Sequence, residues 1–145
     1  MRVLTACFLL SMSPLIAAQV GAGGLVVGDP YFRESIPGQS RTAGFFTLTN
    51  PGAEDCALAA ASAEGIGRLE IHEHSHDNGV MRMRRIDLLA VPAGQTVMLE
   101  PGGYHLMGFE VAEPLKAGDS VEVTLDFGAC GAQVEHFAVR ALEGR

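Results

Sequence analysis

The sequence predicts an all-β protein, an antiparallel β-sandwich of seven to nine strands in a single domain. Three observations support this fold class. Short apolar stretches recur along the chain, turn signals rich in Gly, Pro and Asn separate them, and no stretch keeps a helical period. The length of 145 residues fits one domain, which we place over residues 25–140.

Residues 1–18 are predicted to form a cleaved secretory signal peptide outside the sandwich. Arg2 precedes a short apolar run that ends in small residues, which is the pattern of such signals. A membrane span needs about 20 unbroken apolar residues, and Pro14 interrupts this run. We expect cleavage after Ala18 or within residues 19–24, and a mature protein in the periplasm that is not inserted in the membrane.

A second interpretation of the same segment is lipidation at Cys7. Residues 4–7 (LTAC) resemble a lipoprotein acylation site. Only three residues precede this motif, which leaves no room for the apolar core of a signal ahead of the cysteine. We therefore expect cleavage rather than lipidation.

The first predicted strands alternate with clear turns. A short apolar run at residues 25–27 ends at a Gly-Asp-Pro turn, and residues 43–50 (AGFFTLTN), rich in Phe, Thr and Leu, end at a Pro-Gly pair. Residues 56–61 are apolar and fit either a strand or a short helix.

A β-hairpin is predicted in the middle of the chain. Residues 69–72 and 81–84 each alternate apolar and polar side chains. The polar segment between them ends in Asn78 and Gly79, a pair that favours a tight turn. We predict a hairpin with a long polar tip over residues 73–79.

The remaining strands are predicted at residues 97–99, 104–109, 121–127 and 134–139. The first two follow Pro-Ala-Gly and Pro-Gly-Gly turns, and the third alternates valine and leucine with polar residues. A turn at residues 128–131 connects the last two strands.

Charge and motifs exclude several classes of function. The net charge is −7 and Lys116 is the single lysine, so the chain is a poor ligand for nucleic acid or anionic membranes. The sequence has no Gly-x-Ser-x-Gly or phosphate-loop motif. We expect a monomeric protein that is not an enzyme.

Two cysteines, Cys56 and Cys130, belong to the predicted mature chain. In an exported protein such a pair favours one disulfide. Two buried thiols, or copper ligation, are the alternatives. No Cys-x-x-Cys spacing supports ligation.

Histidine and methionine are concentrated in one part of the chain. Between positions 72 and 107 lie His72, His74, His76, Met81, Met83, His105 and Met107, with Met98 on a separate predicted strand. Each has an ordinary explanation when taken alone, because strand methionines usually fill cores and histidines near a hairpin tip are usually solvated. Together they indicate a candidate soft-metal site.

Strand geometry brings four of these residues within reach of one ion if the strand of His105 and Met107 packs beside the predicted hairpin. Side chains two residues apart on a strand share a face, so His105 and Met107 project together. Pairing of the predicted hairpin places His72 near Met83 at its open end. Thioethers are soft, neutral donors that suit Cu(I) and are poor ligands for zinc, calcium or magnesium.

The spacing of these residues resembles the motif of the periplasmic copper chaperones of the PCu(A)C type. That motif runs His, ten residues, Met, twenty-one residues, His-x-Met. His72, Met83, His105 and Met107 match all four positions without a gap. The resemblance extends over the flanking turns and covers roughly residues 25–139.

The resemblance implies a cupredoxin-like Greek-key sandwich that binds Cu(I). It also implies delivery of copper to an acceptor such as a cytochrome c oxidase subunit or its assembly factor. His74 and Met81 are possible auxiliary ligands. Some members carry a His/Met-rich tail for Cu(II), which residues 140–145 do not provide, so Cu(II) binding through His74 and His76 stays open.

Two rival functions remain at the level of sequence. A blue-copper protein needs a Cys thiolate with two His and an axial Met, and the spacing of Cys130 and His136 does not resemble that motif. An exported sandwich without metal, serving in adhesion or assembly, treats the histidines and methionines as incidental.

Overall fold

The computed structural model describes residues 24–142, so the predicted signal peptide and Cys7 lie outside the described residues. This part of the chain contains eleven strands and a short 3-10 helix at Gly128–Cys130. The strands are β1 (Val26–Arg33), β2 (Arg41–Thr49), β3 (Cys56–Leu58), β4 (Ala60–Ala63), β5 (Ile66–Asp77), β6 (Val80–Ile86), β7 (Leu89–Val91), β8 (Thr96–Leu99), β9 (Tyr104–Val111), β10 (Ser120–Asp126) and β11 (Ala132–Arg140). Within residues 24–142, no helix is long and apolar enough to cross a membrane.

Nine strands form one sheet in the order β4-β10-β11-β1-β2-β8-β9-β5-β6, and β3 pairs with β7 in a separate ribbon. The large sheet folds back on itself because β4 pairs with β5 as well as with β10. Its two halves enclose one core, and the predicted all-β sandwich is confirmed. The main sheet has the upper predicted number of strands, and the ribbon adds two.

Most described strand pairings are antiparallel, as expected, but β1 pairs with β11 and β8 pairs with β9 in parallel. The sequence of residues 56–61 fitted either a strand or a short helix. In the structure this segment contributes to two strands. Its first part, β3, joins the small ribbon, and its second part, β4, enters the main sheet.

The predicted long tip of the central hairpin is wrong. β5 and β6 stay paired as far as Asp77 opposite Val80, so only Asn78 and Gly79 form the turn. Both turn residues have positive φ, 50° and 79°, as a tight two-residue hairpin turn requires. The polar residues pair across this ribbon, and their lack of apolar alternation hid the strand.

The core lies between the two halves of the sheet. In β10, Val121, Val123 and Leu125 are buried and the residues between them face outwards. The ring of Phe137 from β11 lies 5.1 Å from Phe32 and 5.2 Å from Phe46, measured between centroids. Aromatic packing therefore joins β1, β2 and β11 at the centre of the sandwich.

A disulfide joins Cys56 of β3 to Cys130 in the 3-10 helix, with the sulfur atoms 1.97 Å apart. The predicted disulfide is confirmed. It leaves neither cysteine as a free thiol or as a copper ligand, and it ties the small ribbon to the end of β10.

Candidate metal centre

Three neighbouring strands, β5, β6 and β9, carry the residues of the candidate centre. Across β5 and β9, His72 lies opposite His105. Across β5 and β6, His74 lies opposite Met83. Since alternate residues of a strand share a face, these side chains and Met107 project from the same side of the sheet.

That side is the outer face of the sandwich. On β9, Leu106 points into the core and is fully buried, so its neighbours His105 and Met107 point outwards. Strand β2 continues the outer face with Ala43, which lies opposite Met107, and with Phe45, whose ring centroid is 6.3 Å from that of His105. The candidate ligands therefore lie on strands and not on a loop.

His105 is held in one orientation. Its side chain is 3% exposed, and its Nδ1–H donates to the carbonyl oxygen of Gly103 at 3.2 Å. This hydrogen bond leaves Nε2 as the nitrogen with a free lone pair. Burial lowers the pKa of His105 below its ordinary value of 6.5, and the hydrogen bond to Gly103 opposes that effect. Burial thus favours the neutral form of the ring, which is the form that binds a metal.

His72 is oriented by a carboxylate. Its Nε2–H donates to Oε2 of Glu70 at 2.8 Å, and this hydrogen bond is the main reason that the pKa of Glu70 is lowered. The other oxygen of Glu70 is 2.8 Å from Nε of Arg68. Nδ1 of His72 is buried and has no hydrogen-bond partner among the described residues. A carboxylate that fixes a histidine tautomer in this way is a common support for metal ligands.

A cavity of about 210 Å³ opens beside His105. Of the four residues predicted from the spacing, Met83, His105 and Met107 line it. His74 also lines the cavity. His72 is not among the described residues that line it. The complete lining is Arg33, Ala43, Phe45, His74, Met83, Pro101, Gly102, His105 and Met107.

The imidazole rings form a close group. The centroid of the His105 ring is 5.0 Å from that of His74 and 5.8 Å from that of His72. His76 and Met81 face each other one step further along the hairpin, beyond the cavity. His74 is therefore close to the centre, and Met81 lies outside it.

The donor set consists of neutral nitrogen and sulfur atoms. None of the residues described as lining the cavity is acidic. Within residues 24–142, no three His, Cys, Asp or Glu side chains are arranged to hold a metal ion together. A metal ion at this place would need the methionines, and such a donor set suits soft ions.

Sequence reasoning missed three neighbours of the centre. Glu70 precedes His72 by two residues, and this alternation was a usable signal that both share a face. Arg33 lies over the ring of Phe45, with Cζ 5.0 Å from the centroid, and both line the cavity. Their place depends on the pairing of β1 with β2, which no local pattern reveals.

Solved structures with a similar fold include two PCuAC domains and the protein DR1885. A copper-bound PCuAC domain from PmoF2 is 21% identical with a TM-score of 0.71, over 83% of this chain and 95% of that domain. An apo PCuAC domain from PmoF1 is 25% identical with the same TM-score, over 83% and 96%. The solution structure of CuI-DR1885 from Deinococcus radiodurans is 26% identical with a TM-score of 0.60, over 88% and 86%.

The fold is thus that of a cupredoxin-like β-sandwich of the PCuAC type. The chain belongs to the LpqE-like family, because the profile of that family matches residues 25–139. The family is described as putative lipoprotein LpqE-like.

Two curated proteins are similar in sequence to this chain. A putative lipoprotein, Lxx21020, of Leifsonia xyli is 34% identical over 107 residues, which is 73% of this chain. An uncharacterized protein, RP573, of Rickettsia prowazekii is 33% identical over 103 residues, or 68% of this chain. The match spans 63% and 57% of these relatives, less than two thirds of their length.

Proposed function

We propose that this protein binds one Cu(I) ion through His72, Met83, His105 and Met107 and acts as a copper chaperone. One observation carries the proposal: imidazole and thioether side chains from β5, β6 and β9 project from the same face around His105. Copper in the PmoF2 and DR1885 structures, which share the fold, supports the choice of metal.

The charge around the centre favours the lower oxidation state. The cavity is lined by one cation, Arg33, and by neutral residues among those described. A monovalent ion meets less repulsion there than a divalent ion, and no anion in the lining offsets the charge of Cu(II). Soft thioethers favour the same state.

Exposure of one ligand suits transfer of the ion. The side chain of Met83 is 48% exposed, whereas His105 is buried. A partner's ligand can therefore approach the ion from the side of Met83 and replace donors one at a time. We propose an acceptor of the cytochrome c oxidase assembly machinery, on the basis of the resemblance in the ligand spacing.

A Cu(I) competition titration against a chromophoric chelator tests the proposal. The protein is expected to take up one Cu(I), and the double variant Met83→Leu, His105→Ala is expected to lose most of the affinity. Met98→Leu with His136→Ala is the matched control, because both residues are exposed and lie outside the centre. Absence of uptake, or equal affinity in the two double variants, would contradict the site and favour a sandwich without metal.

We further propose that the protein is exported to the periplasm, where its disulfide is stable. The lipoprotein description of the family makes acylation at Cys7 the competing outcome. The mass of the mature protein decides between them: cleavage near Ala18 gives an unmodified N-terminus, and acylation gives a lipid-modified Cys7.

A further inference from the structure

The candidate centre contains one more imidazole than a four-donor site with two methionines requires. His72 and His74 are two residues apart on β5 and project from the same face; His72 lies opposite His105, and His74 lies opposite Met83. The motif spacing selects His72, and the cavity lining includes His74.

His74 has the position of a ligand. It lies directly opposite Met83, its ring is 5.0 Å from that of His105, and it lines the cavity with both. Its backbone N–H donates to the carbonyl oxygen of Gly103 at 3.2 Å, which fixes it beside the turn that orients His105. Nδ1 of His74 is buried without a hydrogen-bond partner in the described part of the chain.

His72 is placed differently. Its side chain is 11% exposed and is hydrogen-bonded to Glu70, and its ring is 5.8 Å from that of His105. A four-donor site that uses Met83, His105 and Met107 has one position left. His72 and His74 are therefore suited to act in turn rather than together.

We propose that His74 is an exchange ligand: Met83, His105 and Met107 hold the ion throughout, and the fourth position alternates between His74 and His72. This inference rests on the proposed binding of Cu(I). In the exchange, one bond from copper to a neutral imidazole nitrogen breaks and another forms. No proton moves, and the oxidation state of copper does not change.

The two positions differ in their neighbours. The His74 position lies opposite Met83, which is 48% exposed, whereas His72 is hydrogen-bonded to Glu70. The His74 position therefore receives and releases the ion, and the His72 position holds it between these events.

A double-mutant cycle on the full mature protein tests the exchange. The variants are His72→Gln, His74→Gln and the combination, since glutamine lacks the imidazole but keeps an N–H for Glu70. Each single variant is expected to bind one Cu(I) with a moderate loss of affinity. The combined variant is expected to lose at least about tenfold more than the product of the single losses, as for coupled neighbours.

X-ray absorption of copper-loaded His72→Gln provides a second readout, with two nitrogen and two sulfur donors expected because His74 takes the vacant position. His76→Gln is the control, since His76 lies beyond the cavity and its loss should leave affinity unchanged. Circular dichroism verifies that each variant is folded.

The exchange is overturned if either single variant loses as much affinity as the combined variant, because one imidazole would then be the sole ligand. It is also overturned if the loss of affinity in the combined variant equals the product of the two single losses. The third contradictory result is copper-loaded His72→Gln with only one nitrogen donor. Absence of Cu(I) binding by the unmodified protein is a different result, and it refutes the proposed function itself.

Discussion

The hydrogen bond between His72 and Glu70 determines which nitrogen of His72 is available to a metal ion. The carboxylate accepts Nε2–H, so the free lone pair is on Nδ1. Arg68 and Arg85 hold the other oxygen of Glu70, at 2.8 and 3.7 Å. This arrangement makes Glu70 a positioning residue for the centre.

Replacing Glu70 should weaken copper binding without removing a ligand. We predict that Glu70→Ala lowers the affinity for Cu(I) by about tenfold to a hundredfold, the usual effect of losing such a support. The competition titration measures it. Glu73→Ala is the matched control, because Glu73 pairs with Arg84 on the opposite face of β5. An equal loss in both variants would rule out the positioning role.

The burial of His105 makes the stability of the apoprotein depend on pH. The unfolded chain binds a proton at His105 near pH 6.5, and the folded protein binds it only at lower pH because burial lowers the pKa. We predict full stability above this window and a decrease as the pH falls through it. Thermal unfolding of His105→Asn between pH 7.5 and 5 should show a shallower decrease than unfolding of His136→Asn. An equal decrease in the two variants would show that the burial of His105 does not cause the pH dependence.

At the scale of the element, the β5–β6 hairpin shows where sequence patterns succeed and fail. The pattern predicted both strands and the turn residues Asn78 and Gly79, because alternation and an Asn-Gly pair are signals within a few neighbouring residues. It missed the paired residues 73–77, because a ribbon that projects from the sheet is solvated and shows no apolar alternation. His74 and His76 were consequently assigned to a loop, and their register with β6 was not expected.

The turn of this hairpin should be sensitive to a side chain at Gly79. Its φ of 79° lies in the left-handed region, where a Cβ costs about 1–2 kcal/mol. We predict that Gly79→Ala lowers the free energy of unfolding by about that amount. Gly103→Ala is the control, since a Cβ there has its nearest contacts at 3.6 Å. Urea denaturation compares the two, and equal stability would show that the turn tolerates a side chain.

At the scale of the whole molecule, the alternation of residues predicted the sandwich, and the spacing predicted four candidate ligands, of which Met83, His105 and Met107 line one cavity. The closure of the sheet between β4 and β5 was not predictable, because it rests on a long-range pairing around Ala63 and Ile66. The parallel pairing of β1 with β11 was hidden for the same reason. The contribution of Arg33 to the site follows from this tertiary arrangement, whereas that of Glu70 is local to β5.

The disulfide should stabilise the fold without affecting the centre. It closes a long loop, with 74 residues of sequence separation, and ties β3, which pairs with β7 and carries no candidate ligand. We predict that Cys56→Ala with Cys130→Ala lowers the free energy of unfolding by about 2–4 kcal/mol. Affinity for Cu(I) should stay unchanged. A large loss of copper binding in the folded variant would show that the ribbon supports the site.

The coordination of copper in the loaded protein tests the central claim most directly. X-ray absorption at the copper edge counts sulfur against nitrogen donors around the ion. The proposed centre predicts a single Cu(I) with two sulfur and two nitrogen ligands, whichever of His72 and His74 occupies the fourth position. A spectrum with nitrogen and oxygen donors alone would contradict it, because Met83 and Met107 would then play no part in binding.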